Sequence, residues 1–140
     1  MVRNLLLIRH ADAISAGSNQ RDFERKLSEK GKSESALLGE YIKNLPFEVD
    51  TIYTSPSVRT LQTCAEITQQ LERAPRIISS EEYYEATGNV MFAAVNRIDD
   101  IFKNVAIIAH NPSISYLYEY LSGDSQGGFL TASCAWLQIS

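Results

Sequence analysis

The hydrophobic and polar positions of this 140-residue chain alternate between two kinds of pattern from one end to the other. Short apolar runs bounded by turn residues are typical of buried strands, whereas apolar residues at every third or fourth position are typical of amphipathic helices. Residues 5–8 and 105–109 are the clearest runs of the first kind. Because strand and helix alternate repeatedly, the pattern predicts a mostly parallel sheet with helices on both faces, a three-layer α/β/α sandwich.

The same pattern predicts five strands and four helices. The expected strands span residues 5–8, 49–54, 77–78, 105–109 and 132–139, and a long polar loop covers 12–26. The expected helices begin at the capping residue Ser28, at Ser55-Pro56, near Asn89 and at Asn111-Pro112, and the first and third end near Asn44 and Phe102. The apolar spacing also predicts which face of each helix is buried. In the first helix the predicted face is Leu37, Leu38, Tyr41, Ile42 and Leu45, and in the second it is Val58, Leu61, Ala65, Thr68 and Leu71. In the third it is Met91, Ala94, Val95, Ile98 and Ile101, and in the fourth it is Ile114, Leu117, Tyr118 and Leu121.

Composition narrows the class of protein. The chain is 44% hydrophobic and 21% charged, which is ordinary for a folded domain, and its length fits a single domain over 1–140. A net charge of −4 argues against a nucleic-acid binder, since such proteins usually carry a basic stripe. Cys64 and Cys134 are expected to be reduced, apolar fillers of a cytoplasmic protein, with a disulfide the less favoured alternative. The apolar runs are too short for a signal sequence or a membrane span.

Cations or imidazoles follow three of the predicted strands, each just before a helix or loop. Arg9-His10 follows the first strand, Arg59 lies in the first turn after the second, and His110-Asn111 follows the strand that ends at Ala109. In parallel sheets the carboxyl ends of the strands share one edge, and ligands bind there. Since both histidines of the chain fall at strand exits, we expect them to share one site.

These residue types suit phosphoryl transfer. Guanidinium groups such as those of Arg9 and Arg59 bind phosphoryl oxygens bidentately and keep their charge. Helix N-termini add backbone donors. A neutral imidazole is a competent nucleophile near pH 7, and a covalent phosphohistidine would divide hydrolysis into two easier steps. A metal site built on the two histidines is disfavoured, because the nearby arginines would repel a cation and no further ligand has suitable spacing.

The motifs Arg9-His10-Ala11, Ser55-Pro56-x-x-Arg59-x-x-Gln62-Thr63 and His110-Asn111 resemble, in this order, those of the histidine phosphatase superfamily. The resemblance covers essentially the whole chain and implies a phosphoglycerate mutase-like fold. The broader family usually has glycine at the third position of the first motif. Ala11 there, together with the stretch 22–31, is similar to the SixA-type phosphohistidine phosphatases, a compact branch of that superfamily.

The resemblance implies a role for each matching residue. His10 would be the transiently phosphorylated nucleophile, Arg9 and Arg59 would clamp the phosphoryl group, and His110 would be the second histidine of the pocket. Asn111 would cap the following helix and contribute to phosphate binding, whereas Gln62 and Thr63 would secure their helix. The family uses no metal, and no cofactor is expected.

The substrate is less well defined by the sequence. A general acid for an alkoxide leaving group would come from Glu81, Glu82 or Glu85, and Glu85 is the preferred candidate. Little chain remains for a lid, which favours a phosphorylated partner protein, most plausibly a histidine-phosphorylated domain. The alternatives are a phosphatase of small phosphoesters, a phosphomutase or synthase, and a phosphate-binding module without turnover. No nucleic-acid or membrane partner is expected.

Overall fold

A computed structural model of the protein describes residues 2–125 and 127–140. Strands and helices alternate through most of that range, as the hydrophobic pattern predicts. The strands are β1 (Arg3–Arg9), β2 (Thr51–Thr54), β3 (Arg76–Ser79), β4 (Asn104–Ala109) and β5 (Cys134–Ile139). The helices are α1 (Glu29–Lys43), α2 (Val58–Thr68), α3 (Gly88–Asn96) and α4 (Ser113–Ser122), and short 3-10 turns lie at Asp22–Glu24 and Glu81–Tyr83.

The five strands form one sheet in the order β3-β2-β4-β1-β5. β4 is central and pairs in parallel with both β1 and β2, and β3 continues the parallel arrangement on the far side of β2. Only β5 among these strands is antiparallel, along the outer edge of β1. The prediction of a mostly parallel sheet is therefore confirmed, and the carboxyl ends of β1, β2 and β4 lie side by side.

Helices cover both faces of the sheet, which confirms the three-layer α/β/α prediction. Because successive side chains of a strand point to opposite faces, β1 supplies both cores. Leu5 and Leu7 pack with α3 and α4, whereas Leu6 and Ile8 pack with α1 and α2. Both pairs are fully buried. The two hydrophobic layers hold the strand exits rigidly at one edge of the sheet.

The buried face predicted for α2 is wrong. Leu61 is 41% exposed, and the buried positions are instead Arg59, Thr60, Thr63, Cys64 and Ile67. The helix can bury polar residues because their groups are satisfied locally: Thr60 Oγ1 donates to the carbonyl of Ser55, and Thr63 Oγ1 to that of Arg59. A hydrophobicity pattern cannot identify this face, since the face is polar where it meets the strand exits.

Smaller corrections concern the other helices. Leu37 and Tyr41 of α1 are exposed, and only Leu38 and Ile42 of its predicted face are buried. α3 ends at Asn96, six residues before the predicted end, and Ile101 is exposed. Asn111 does not cap α4, because its side-chain oxygen accepts from the Ser115 hydroxyl rather than from a backbone N–H.

The polar loop after β1 is anchored at both ends. Ser28 caps α1 as predicted, since its hydroxyl accepts from the backbone N–H of Gly31. Asp12 packs directly onto this turn, and a Cβ on Gly31 would come within 2.0 Å of the Asp12 carbonyl oxygen, so only glycine fits there. A bridge between Ala13 and Leu27 closes the base of the loop.

Two further features of the described residues bear on the sequence predictions. Cys64 and Cys134 are free thiols. Among the described residues, no helix is long and apolar enough to cross a membrane.

Candidate active site

The residues that follow β1, β2 and β4 meet at the carboxyl edge of the sheet. Register places Arg9 opposite Ala109, so that His10 and His110 leave adjacent strands side by side, with ring centroids 5.2 Å apart. Arg59, from the first turn of α2, reaches both imidazoles. The structure thus brings together three of the four residues that the sequence singles out, namely His10, Arg59 and His110, and all three are more than 90% buried. Arg9, the fourth, precedes His10, and its charge adds to the effect of burial in lowering the pKa of both histidines.

His10 is held in one tautomer. Its Nδ1 lies 2.7 Å from the carbonyl oxygen of Ala11, and a carbonyl can only accept, so Nδ1 carries the proton. Nε2 therefore keeps its lone pair and faces Arg59 Nε at 3.4 Å. Burial lowers the pKa of His10 to about 4, and the positive charge of Arg59 adds to that effect. At neutral pH the ring is an uncharged imidazole with an unprotonated nitrogen directed into the pocket.

His110 has the opposite tautomer. Its Nδ1 is 3.3 Å from Arg59 Nη2, which can only donate, and its Nε2 donates to the Ser55 hydroxyl at 2.8 Å. Burial, reinforced by the charge of Arg59, lowers the pKa of His110 to about 3. Both imidazoles therefore turn an unprotonated nitrogen toward the same guanidinium.

Arg59 uses two different edges. Its side edge, formed by Nε and Nη2, faces the two imidazoles at 3.4 and 3.3 Å. Its end edge, formed by Nη1 and Nη2, donates to the backbone carbonyl and the carboxylate of Asp22 at 2.8 and 3.0 Å. The end-edge distances lie within the roughly 2.7–3.2 Å of ordinary N–H···O bonds, whereas the N–H···N contacts of the side edge are longer and therefore weaker.

Arg9 carries an unpartnered donor at the same edge of the sheet. Its Nη1 donates to the carbonyl of Phe129 at 2.9 Å, but its buried Nε has no hydrogen-bond partner among the described residues. Burial lowers the pKa of Arg9. A buried donor that has no acceptor among the described residues is costly if the partly buried Arg9 serves only the fold, and it suits a site that receives an anion.

Asn111 contacts the segment that holds Arg9. Its Nδ2 donates to the Phe129 carbonyl at 2.8 Å, and Ser115, which donates to its Oδ1, also accepts from the Phe129 N–H. These contacts tie the segment before β5 to α4. Phosphate binding by Asn111 itself stays a prediction.

Gln62 and Thr63 fix the loops around the pocket. Thr63 Oγ1 accepts from the N–H of Ala11, the residue after His10, at 3.1 Å. Gln62 Oε1 accepts from the N–H of Leu27 at 2.8 Å. Neither side chain points its polar group at the imidazoles in these contacts. The two residues therefore position the backbone of two neighbouring segments, in addition to the expected role of securing their own helix, which stays a prediction.

The three glutamates considered as acids differ in their surroundings. Glu82 is paired with Arg97. Glu81 and Glu85 are exposed and lie on the wall of an open cleft of about 620 Å³, together with Tyr84 and Asp22. No hydrogen bond or ion pair holds Glu85 among the described residues. The acid role of Glu85 therefore stays a prediction.

Sequence reasoning missed Asp22 and Tyr84. Asp22 receives hydrogen bonds from Arg59, Arg25 and the Tyr84 hydroxyl, and the Tyr84 ring meets His110 edge-on at 5.5 Å. Burial alone would raise the pKa of Asp22, but these hydrogen bonds outweigh it and lower the pKa to about 2. Both residues come from polar stretches without periodicity, so only their three-dimensional contacts distinguish them.

Comparison with known families agrees with this geometry. Residues 5–90 match the model of the histidine phosphatase superfamily, branch 1. The chain belongs to the histidine phosphatase superfamily. It is also 29% identical over 107 residues to a 2,3-bisphosphoglycerate-dependent phosphoglycerate mutase of Chlamydia abortus (strain DSM 27085 / S26/3), an alignment that covers 74% of this chain and 46% of that protein. The chain thus spans less than half of that curated relative.

Solved structures share the fold of this member of the histidine phosphatase superfamily. A candidate phosphohistidine phosphatase SixA from Agrobacterium tumefaciens superimposes with a TM-score of 0.88 at 24% identity, covering 99% of this chain and 96% of that one. The protein histidine phosphatase SixA complexed with tungstate gives 0.85 at 24% identity, with 95% and 86% covered. A phosphoglycerate mutase from Bacillus anthracis str. Sterne gives 0.81 at 15% identity, with 99% and 88% covered. The predicted phosphoglycerate mutase-like fold is confirmed.

Proposed function

We propose that this histidine phosphatase hydrolyses phosphohistidine on a partner protein through a covalent intermediate on His10. The observation that carries the proposal is the paired arrangement of two uncharged imidazoles along the side edge of Arg59. The Ala11 carbonyl keeps the proton on Nδ1 and leaves Nε2 free to attack. No proton has to be removed from the nucleophile before the reaction begins, since the ring is neutral at physiological pH.

In the first step, His10 Nε2 forms a bond to phosphorus as the bond from phosphorus to the substrate imidazole breaks. With its other ring nitrogen protonated, the substrate histidine leaves as a neutral imidazole and needs no acid from the enzyme. His10 becomes a phosphoimidazolium, whose Nδ1–H the Ala11 carbonyl accepts at 2.7 Å. Protons and charge therefore balance without a further group.

In the second step, water attacks phosphorus and the bond to His10 Nε2 breaks. The water supplies the oxygen and both protons of the dihydrogen phosphate that leaves, and His10 returns to its neutral form. The transition states of both steps spread negative charge over the three equatorial oxygens. Arg59 presents its side edge to that charge, and Arg9 adds the donor Nε that has no partner among the described residues.

His110 changes role when an anion arrives. Its Nδ1 accepts from Arg59 in the structure described, and the low pKa of about 3 reflects burial beside that cation. A phosphoryl dianion in the pocket would offset the positive charge and favour protonation of Nδ1 by a proton taken up from solvent as the anion binds. The ring then donates to a phosphoryl oxygen, with Ser55 holding the opposite nitrogen at 2.8 Å.

The surroundings of the pocket support an imidazole leaving group. Transfer between two imidazoles conserves the type of bond, so it does not need an acid placed beside the leaving atom. The glutamates of the cleft wall are exposed rather than held against the histidines. The neighbouring cleft is open on the side of Asp22, whose carboxylate contacts Arg59, and this suits a phosphorylated side chain on a protein surface. Of the SixA proteins that share the fold, one is a candidate phosphohistidine phosphatase and another is a protein histidine phosphatase.

Trapping of the intermediate tests the proposal. The wild-type protein is mixed with a protein donor labelled on phosphohistidine and quenched into alkaline denaturant, because phosphohistidine survives base but not acid. Since the chain contains two histidines, His10→Ala and His110→Gln serve as a matched pair. We expect label on the wild type and on His110→Gln and none on His10→Ala. Phosphate release without label on the wild type would contradict the covalent route.

A substrate series tests the leaving group. The match to a phosphoglycerate mutase favours small phosphoesters as the second candidate. We expect kcat/KM on a phosphohistidine protein to exceed that on 3-phosphoglycerate and on an aryl phosphate by at least roughly 100-fold. A reversed order would move the assignment to a small-molecule phosphatase. Phosphate binding without any turnover would instead identify a binding module.

A further inference from the structure

Asp22 is the most heavily contacted acidic side chain at the pocket, and the reaction described above gives it no role. It opens the 3-10 turn Asp22–Glu24 in the loop after β1. Its Oδ2 accepts from Arg59 Nη2 at 3.0 Å and from the Tyr84 hydroxyl at 2.8 Å, and its Oδ1 accepts from Arg25 at 3.2 Å. Its backbone carbonyl also accepts from Arg59 Nη1 at 2.8 Å.

These contacts determine which edge of Arg59 faces the substrate. A guanidinium on a flexible stem can present either its side edge or its end edge to an anion. Asp22 occupies the end edge with both a carboxylate and a carbonyl oxygen. The side edge is left toward His10 and His110, at distances too long for strong hydrogen bonds.

We propose that Asp22 is a positioning residue, which holds the end edge of Arg59 so that its side edge faces the phosphoryl group on the line of attack from His10. This inference rests on the proposed function, since it presumes a phosphoryl group between the two imidazoles. Asp22 touches neither substrate nor nucleophile in this role and acts through Arg59. The Arg59 side chain is 7% exposed and that of Asp22 is 55% exposed, so the pair joins a buried clamp to the solvent side of the pocket.

Tyr84 extends this arrangement to the cleft. Its hydroxyl donates to the same Asp22 oxygen that accepts from Arg59, and its ring packs edge-on against Phe23 at 5.1 Å and against His110 at 5.5 Å. The phenol thus fixes the direction of the carboxylate. Removal of its hydroxyl in Tyr84→Phe leaves the rings in place and should reproduce part of the effect of changing Asp22.

The opposite interpretation makes Asp22 an internal competitor of the substrate. A carboxylate on a phosphate-binding arginine would then have to leave before the phosphoryl group binds. The two interpretations predict effects of opposite sign on removal of the carboxylate. A competitor that is removed raises kcat/KM and the affinity for inorganic phosphate, whereas a positioning residue that is removed lowers kcat.

The test measures kcat and KM on a labelled phosphohistidine protein for Asp22→Ala, Asp22→Asn and Tyr84→Phe. A misplaced reacting group can cost about 100-fold, so we expect Asp22→Ala to lower kcat by roughly 30- to 100-fold and to change KM by less than about 3-fold. Asp22→Asn keeps an oxygen acceptor for Arg59 and should lose only roughly 3- to 10-fold. Tyr84→Phe should lose less still.

Glu24→Gln is the matched control. Glu24 lies in the same 3-10 turn and is exposed, and its carboxylate accepts from the backbone of Arg21 without reaching Arg59. The control removes the same charge two residues away and should leave kcat and KM unchanged. Melting temperatures of all variants separate a kinetic effect from loss of folded protein.

Three results would overturn the inference. One is a kcat of Asp22→Ala equal to or above that of the wild type, and another is an equal loss in Glu24→Gln. A third is a loss of activity that follows the loss of folded protein without rescue by asparagine. Labelling of His10 in the wild-type protein separates these failures from failure of the proposed function. If His10 is labelled and the Asp22 variants behave as in one of these three results, only the inference about Asp22 fails. If His10 is not labelled, the proposed function itself fails.

Discussion

Two arginines at opposite ends of β1 show how one residue type serves two purposes. Arg3, at the amino end, is 7% exposed, and it donates through Nε to the Phe102 carbonyl and through Nη2 to the Asp99 carbonyl at 2.9 and 2.8 Å. Arg9, at the carboxyl end, donates through Nη1 to Phe129, while its buried Nε has no partner among the described residues.

The two arginines carry the same charge, and although Arg9 as a whole is only partly buried, the informative difference is in how their buried donors are used. Each buried donor normally has an acceptor, because an unmade hydrogen bond in the interior costs about 1–3 kcal/mol. At Arg3 backbone carbonyls meet this requirement and tie β1 to the segment before β4. At Arg9 the buried Nε has no acceptor among the described residues, and it lies at the end of the strand that leads into His10. The two imidazoles and Arg59 meet at that same end. The unmade bond therefore distinguishes the functional end of the strand from the structural one.

Arg9→Met tests the difference between the two arginines most directly, because it keeps the aliphatic stem of Arg9 and removes its donors. We expect kcat/KM on a phosphohistidine protein to fall by roughly 100- to 1,000-fold, as for the loss of one donor to a developing oxyanion. The free energy of unfolding should change by less than about 1 kcal/mol, because a desolvated cation is lost together with one hydrogen bond. Steady-state kinetics and urea unfolding measure the two quantities. Retained activity would show that the open donor of Arg9 has no part in the reaction.

Arg3→Met should give the reverse pattern. It leaves the carbonyls of Phe102 and Asp99 without their donor, so we expect the free energy of unfolding to fall by about 2–3 kcal/mol. The kcat measured on folded protein should stay within about 2-fold of the wild type, since Arg3 lies at the far end of the strand. A large loss of kcat in this variant, measured at a temperature where it is folded, would remove the distinction between the two ends.

The pH dependence of stability further distinguishes the two ends of the sheet, because both histidines lie at the carboxyl ends of their strands. Burial lowers the pKa of His10 to about 4 and that of His110 to about 3 in the folded protein, against an ordinary 6.5. Between these values the unfolded chain binds protons that the folded chain does not, so stability is lost as pH falls from 6.5. We expect a loss of about 3 kcal/mol between pH 6.5 and 5, roughly half from each histidine, measured by urea unfolding.

A double variant, His10→Asn with His110→Asn, provides the control for this pH dependence. It should flatten the stability profile over that range while the behaviour of the carboxylates at lower pH persists. The acidic limb of kcat/KM should likewise lie well below pH 6.5, because His10 stays unprotonated there. A stability that is constant from pH 7 to 5 would be inconsistent with buried, neutral imidazoles.

Glu85→Gln should have the smallest effect. On a phosphohistidine protein we expect kcat to change by less than about 3-fold, because the imidazole leaves without an acid. On an alkyl phosphate, whose alkoxide must be protonated, the same variant would lose far more if Glu85 is the acid. Rates on both substrates decide the matter. A large loss on the phosphohistidine substrate would place a necessary proton donor on the cleft wall.

The position of the four central residues was predictable because it follows from chain direction alone. Arg9, His10, Arg59 and His110 each follow an apolar run, and parallel strands bring such positions to one edge. The buried face of α2 was not predictable from hydrophobicity, because Thr60 and Thr63 are buried by virtue of local hydrogen bonds. The same holds for Asn111, whose side chain serves the segment before β5 rather than the helix N-terminus.

The sequence alone specifies the α/β alternation, the ends of the strands and the chemical groups placed there. The reason is that local periodicity indicates which residues are buried and where each strand ends. Only the tertiary structure decided the tautomers of the imidazoles, the edge that Arg59 presents and the involvement of Asp22. These depend on donors and acceptors far apart in the chain: 37 residues separate Asp22 from Arg59, and 120 separate Arg9 from Phe129. Hydrogen bonds are short and directional, so which groups pair is fixed only when the fold has brought them within about 3 Å.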